Sequence, residues 1–301
     1  MLMSKIKNRL RRILADQRGH PHPPPHADGD SRVIRLEYPI PDLPPRWGWD
    51  RPVHPQIRAL LKAGEEGYRE LLNTFIQWRE VYLSIRAEEK NALEPCWINS
   101  FMEGLDGIAI YGMTRHFRPK HIIEVGSGNS TLFFRKAIRD AELDTHITSV
   151  DPEPRADIDA LCDRVIRRPM QSLTLDFFDQ LDAGDFLFID ASHYVLANSD
   201  PVIAVLDILP MLKPGVIVSF HDIFWPTDYP ANMQAYHFSE QYLLGAYLLG
   251  NPPYDILLPV AYITETPHLS GILSPILDAP QGNQISRHGS TFWMRKENTG
   301  S

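Results

Sequence analysis

Cysteine is scarce in this chain of 301 residues: Cys96 and Cys162 lie far apart and lack metal-type spacing. That excludes a disulfide scaffold or zinc knuckle and suits buried thiols in a reducing compartment. Long apolar runs are missing too. No stretch approaches the roughly 20 apolar residues of a membrane-spanning helix. No uninterrupted apolar run of the secretory type occurs near the start, so the expected location is cytoplasmic. A surplus of positive charge is also absent. The formal charge is −8, whereas a nucleic-acid binder needs Lys and Arg clustered over a whole face.

What is present begins with a basic amphipathic segment over residues 1–20. Lys5, Lys7, Arg9, Arg11, Arg12 and Arg18 accompany Met3, Ile6, Leu10, Ile13 and Leu14 at helical spacing. Such a helix can lie on an anionic bilayer or dock on a partner, so residues 1–18 are the expected peripheral contact. Residues 21–53 read as a proline-rich linker and arm. Consecutive prolines at 23–25 forbid helix, and Trp47 and Trp49 suggest packing onto something. From 54 to 116 the apolar residues Ile57, Leu60, Leu61, Tyr68, Leu71, Leu72, Phe75, Trp78 and Tyr82 recur at helical intervals. They predict a helical cap, with a second helix from about Ser100 to His116.

Beyond Pro119 strand-like runs alternate with helical patterns: 121–125, 147–150, 186–189 and 216–220, with a shorter run near Val165 and Ile166. This rhythm predicts a doubly wound, Rossmann-like α/β domain over 117–297, whose parallel strands are short continuous apolar runs. A last strand is expected over Gly289 to Arg295, closing the sheet. Ligands of such sheets sit at the carboxyl ends of the strands.

The first strand runs into Glu124-Val125-Gly126-Ser127-Gly128-Asn129-Ser130-Thr131, a turn of small residues before a helical pattern. Gly126 and Gly128 allow backbone to approach a ligand. The dinucleotide fingerprint requires a third glycine where this chain has Thr131, which weakens a dehydrogenase reading. Asp151 follows the next strand, where an acid can hydrogen-bond ribose hydroxyls or cap a helix opened by Pro152. Two later strand ends present Asp190 with His193, and His221 with Asp222. Oxygen and imidazole donors so placed suit a divalent cation. Alternatively the two acids cap the following segments and the histidines bond the cleft wall.

Together these motifs resemble the class I S-adenosylmethionine-dependent methyltransferases, of the seven-stranded type, over roughly Trp97 to Arg295. The resemblance is strongest to bacterial small-molecule and sugar O-methyltransferases of the family 24 type. It implies S-adenosylmethionine as cofactor, with Gly126, Gly128, Asn129 and Ser130 around its methionine and ribose portions and Glu124 holding either the loop or the cofactor's amino group. Asp151 would bind the ribose, Gln171 and Ser172 the adenine, and Asp190 the cofactor side of the cleft. Metal-dependent members imply a cation, magnesium or a transition metal, on Asp190, His221 and Asp222. His193 and His221 are the candidate bases for an acceptor hydroxyl. The string His221-Asp222-Ile223-Phe224-Trp225-Pro226-Thr227-Asp228-Tyr229-Pro230 resembles one bacterial subgroup and implies an acceptor pocket lined by Trp225, Tyr229 and Tyr236, although aromatics flanked by prolines equally suit a packed structural turn. The expected function is O-methylation of a small-molecule or glycan-type acceptor, by a monomer or a homo-oligomer. The rivals are a catalytically silent cofactor-binding scaffold and an NAD-dependent oxidoreductase.

Overall fold

The computed structural model describes residues 38, 44–99, 101–154, 158–190, 192–234 and 236–298. The basic helix expected over 1–20, its membrane or partner contact, and the linker up to residue 43 other than Tyr38 lie outside them. The described residues from Pro45 onward form one compact unit. No described helix is long and apolar enough to cross a membrane.

Seven strands form one sheet: β1 His121–Val125, β2 His146–Val150, β3 Arg164–Ile166, β4 Phe186–Ile189, β5 Ile217–Phe220, β6 Tyr254–Pro259 and β7 Phe292–Lys296. Their order is β3-β2-β1-β4-β5-β7-β6. The first five are parallel, and β7 runs antiparallel between β5 and β6. The apolar runs of β4 and β5 are buried throughout, as a sheet covered on both faces requires. Between the layers Trp293 packs edge-on against Phe186 with ring centroids 5.4 Å apart.

The last strand does not close the sheet as expected; β6 does. Pro252 and Pro253 before β6 and Pro259 at its end obscure an edge strand, the position where missing N–H donors are tolerated. The second expected helix starts at Gly104 rather than near residue 100. The Asn99 side chain accepts the N–H groups of Phe101 and Met102 and holds that stretch in a turn.

On the amino-terminal side, Pro55–Ala63 opens with proline at its first turn and His54 capping the Ile57 N–H. Glu65–Phe75 and Arg79–Ser84 follow, then an irregular stretch leads to Gly104–Phe117. That last helix packs on Asn129–Asp140, the helix after β1. Its close approach depends on Gly107, where a β-carbon would stand 2.6 Å from the Phe133 ring. Trp47 packs against His54 and Trp225, with centroids 4.7 and 5.7 Å away.

Register places the site. Val125 pairs with Val150 on one side and with Ile189 on the other, and Ile189 pairs with Phe220. The next residue on each strand is therefore Gly126, Asp151, Asp190 and His221, four chemically useful positions at one level of the carboxyl edge.

Candidate active site

The loop after β1 turns at Gly126, whose φ of 78° favours glycine. Beneath it Glu124 is fully buried and accepts hydrogen bonds from Ser130 Oγ and Thr131 Oγ1 at 2.5 and 2.6 Å. Thr131 Oγ1 also accepts the Gly128 N–H. The residue standing where a dinucleotide fingerprint has its third glycine thus ties the loop together. Burial pushes the Glu124 carboxyl up to about 8, against the two hydroxyls that favour its charged form. Glu124 holds the loop from below and does not line the cleft.

Asp151 accepts the Ser127 N–H on one oxygen and the Glu153 N–H on the other, at 2.9 and 2.8 Å. Pro152 opens a bend rather than a helix, so the carboxylate is not a helix cap. It lies on the wall of a cleft of about 660 Å³, together with Gly126, Gly128, Asn129, Ser130 and Gln171. That volume is within the roughly 300–1,000 Å³ of small-ligand sites. Ser172 lies outside the cleft wall, its hydroxyl donating to the Pro169 carbonyl. Gln171 instead donates weakly to Asp200, at 3.3 Å, and Asp200 also receives the N–H and hydroxyl of Ser192.

The ends of β4 and β5 carry an alternation of acids and imidazoles. His193 Nδ1 lies 3.0 Å from Glu240 Oε2, and its Nε2 lies 3.4 Å from Asp190 and 3.7 Å from Asp222. His221 Nδ1 is 3.5 Å from both Asp190 and Asp222, while its Nε2 faces Asp106 at 3.4 Å. His193 and Asp222 hold φ values of 61° and 57°. Non-glycine residues in this region cost on the order of 1 kcal/mol and cluster at functional sites.

Four carboxylates surround two imidazoles here. Burial alone would lower the His193 pKa, but Asp190 and Glu240 raise it to about 10. For His221 burial is likewise outweighed, by Asp190, Asp222 and Asp106, and its pKa rises. Burial pushes Asp190 up, yet the two histidines hold it well below the usual carboxylate range. Glu240 is raised by burial, with His193 opposing. Carboxylates thus outnumber imidazoles in the cluster, a donor set that suits cations.

Asp190 and His193 line the cleft; His221 does not. The donor atoms that converge within 4.8 Å of one another belong to Asp190, His193 and Asp222. That set contains His193 rather than the expected His221, whose Nδ1 nevertheless faces Asp190 and Asp222 while its Nε2 faces Asp106. Sequence pattern assigns no role to Asp106 or Glu240. An acid in the otherwise apolar run of Gly104–Phe117 is the available signal for Asp106; it accepts the N–H groups of Ser290 and Thr291.

Trp225, Tyr229 and Tyr236 do not line this cleft. Trp225 and Tyr229 are buried at 3% and 2% exposure and belong to a packed turn. Trp225 Nε1 donates to the Gln241 carbonyl, and Tyr229 Oη accepts the Gln241 N–H. Gly245 leaves the space that Trp225 fills, since a β-carbon there would stand 2.7 Å from the indole. Tyr236 is exposed and stacks on Phe238, outside the cleft wall, while Phe238 lies 4.7 Å from the His193 ring.

Residues 123–223 match the family described as a methyltransferase domain, a span that runs from β1 to the residues just after β5. No curated protein matches the chain. Among solved structures, the methyltransferase PaMTH1 of Podospora anserina, bound to S-adenosylhomocysteine (SAH), is 16% identical with a TM-score of 0.40, over 83% of this chain and 100% of that one. The O-methyltransferase from Bacillus cereus in complex with SAH is 17% identical with a TM-score of 0.37, over 76% and 91%. The plantazolicin methyltransferase BpumL with SAH is 12% identical with a TM-score of 0.43, over 81% and 100%. These are distant likenesses.

Proposed function

We propose that this class I S-adenosylmethionine-dependent methyltransferase methylates a hydroxyl oxygen of a small-molecule or sugar-containing acceptor, with His193 as the base. The observation that carries the reading is the placement of His193. It stands on the cleft wall, its Nδ1 held by Glu240 and its Nε2 turned towards Asp190 and Asp222.

The residues present suit the cofactor. A β-carbon on Gly128 would meet no protein atom within 4 Å, so the loop forms an open cradle. Asp151 already takes two N–H groups, yet an ionised carboxylate has about four acceptor positions, which leaves capacity for ribose hydroxyls. When bound, S-adenosylmethionine supplies a methyl group on a positively charged sulfur, with a thioether as leaving group. The protein must then align the acceptor and remove its proton; alignment alone is worth on the order of 7–11 kcal/mol in favourable cases. Because its pKa lies at about 10, His193 holds a proton at neutral pH. Its neutral, basic form increases as pH rises.

A second route rests on the convergence of Asp190, His193 and Asp222. Two carboxylates and an imidazole are donors that fit a divalent cation, and the nitrogen favours a transition metal over magnesium. A cation there would lower the pKa of a coordinated hydroxyl. Exhaustive chelation separates the routes. Labelled methyl should enter an ether of a small molecule in both cases. Loss of turnover on chelation, restored by added cation, assigns the metal route, and unchanged turnover assigns His193 alone. Label found only on nitrogen would overturn the oxygen assignment.

A further inference from the structure

The family match begins at residue 123, yet one wall of the cleft is built from residues before it. Cys96, Ile98, Asn99, Phe101 and Met102 face the cleft together with the loop after β1. This wall is pinned from behind. The N–H groups of Trp97 and Ile98 donate to the carbonyls of Arg86 and Ala87 at 3.0 and 2.7 Å. The Trp97 indole donates to the Tyr82 carbonyl and packs, nearly fully buried, against Phe133 of the helix after the loop.

Asn99 is the hub. Its Oδ1 accepts the N–H groups of Phe101 and Met102 and the Nδ2 of Asn129, at 3.2, 2.7 and 3.0 Å, while its own Nδ2 donates to the Cys96 carbonyl at 3.0 Å. One side chain therefore fixes the shape of the wall and fastens it to the first residue of Asn129–Asp140.

Strand order determines which part of the cofactor this wall meets. Asp151 and Gln171 follow β2 and β3, so ribose and adenine lie over that side of the sheet. Asp190 and His193 follow β4, on the other side of β1, where the reacting methyl must be. The methionine arm then lies over the loop after β1, against the wall that Asn99 fastens.

We infer that Asn99 is a positioning residue for the methionine arm of the cofactor, acting through the wall it latches to Asn129. The inference rests on the cofactor assignment above. SAH and adenosine, titrated by calorimetry into the full chain, separate the possibilities because adenosine lacks the methionine arm. Asn99→Ala should weaken SAH about tenfold, the effect of roughly one net hydrogen bond, and leave adenosine unchanged. Ile98→Ser alters a side chain that is 59% exposed on the same wall, and so leaves the fold intact. It should weaken SAH alone by a few fold. Equal loss for both ligands, or no loss for either, would overturn the inference while leaving the cofactor assignment standing. No binding of SAH to the unaltered protein would remove both.

Discussion

Glu240 holds His193: the buried carboxylate lies 3.0 Å from Nδ1 of a ring whose other nitrogen points to the acids at the ends of β4 and β5. The bond orients the ring, and the charge raises its pKa. Glu240→Gln keeps the shape and removes the charge. The expected outcome, compared on the alkaline plateau where the base is neutral in both proteins, is a fall in turnover of about tenfold or more. The alkaline rise of the pH–rate profile should also move to lower pH, since loss of a neighbouring carboxylate lowers an imidazole pKa. A profile of unchanged position would detach Glu240 from the base.

Asp151→Ala removes the proposed acceptor for ribose and also frees the Ser127 N–H of the loop. Hydrogen bonds to a charged group are worth roughly 1.5–3 kcal/mol each. SAH affinity should therefore fall by at least about tenfold in protein shown by circular dichroism to be folded. Calorimetry checks it, and equal affinity in the two proteins would remove Asp151 from the ribose site.

Glu124 makes stability depend on pH in a defined direction. Its folded pKa of about 8 lies above the ordinary 4.5, so the fold favours the protonated carboxyl. That contribution is complete below about pH 4.5 and is lost as pH rises through about 8. Glu124→Gln carries no such titration. The unaltered protein should lose stability relative to this variant between those limits, by on the order of 5 kcal/mol at most. Parallel denaturant titrations at pH 5 and pH 8.5 measure the difference, and a constant offset would contradict the buried acid.

Much of this is legible in the sequence, and the exceptions have physical causes. The strands β1, β2, β4 and β5 are short, largely apolar runs followed at once by Gly126, Asp151, Asp190 and His221, and pattern locates them. The prolines flanking β6 hide an edge strand, so β7 reads as the closing one. Asp190 and His193 share one strand end and can be paired from their spacing. Asp106 and Glu240 reach the same cluster from helices 84 residues before and 47 residues after Asp190 and His193 respectively, a convergence that only the fold creates. Trp225 misleads because a motif records a recurring string without saying whether its aromatic faces a ligand or Gly245.

His193 is the proposed base, and one comparison tests it most directly: transfer of labelled methyl from S-adenosylmethionine to the small-molecule fraction of an extract, by the unaltered protein and by His193→Ala, with SAH affinity measured in both. The expected result is equal affinity and a rate lower by about 10²-fold or more in the variant. Equal transfer by both proteins would contradict the assigned base.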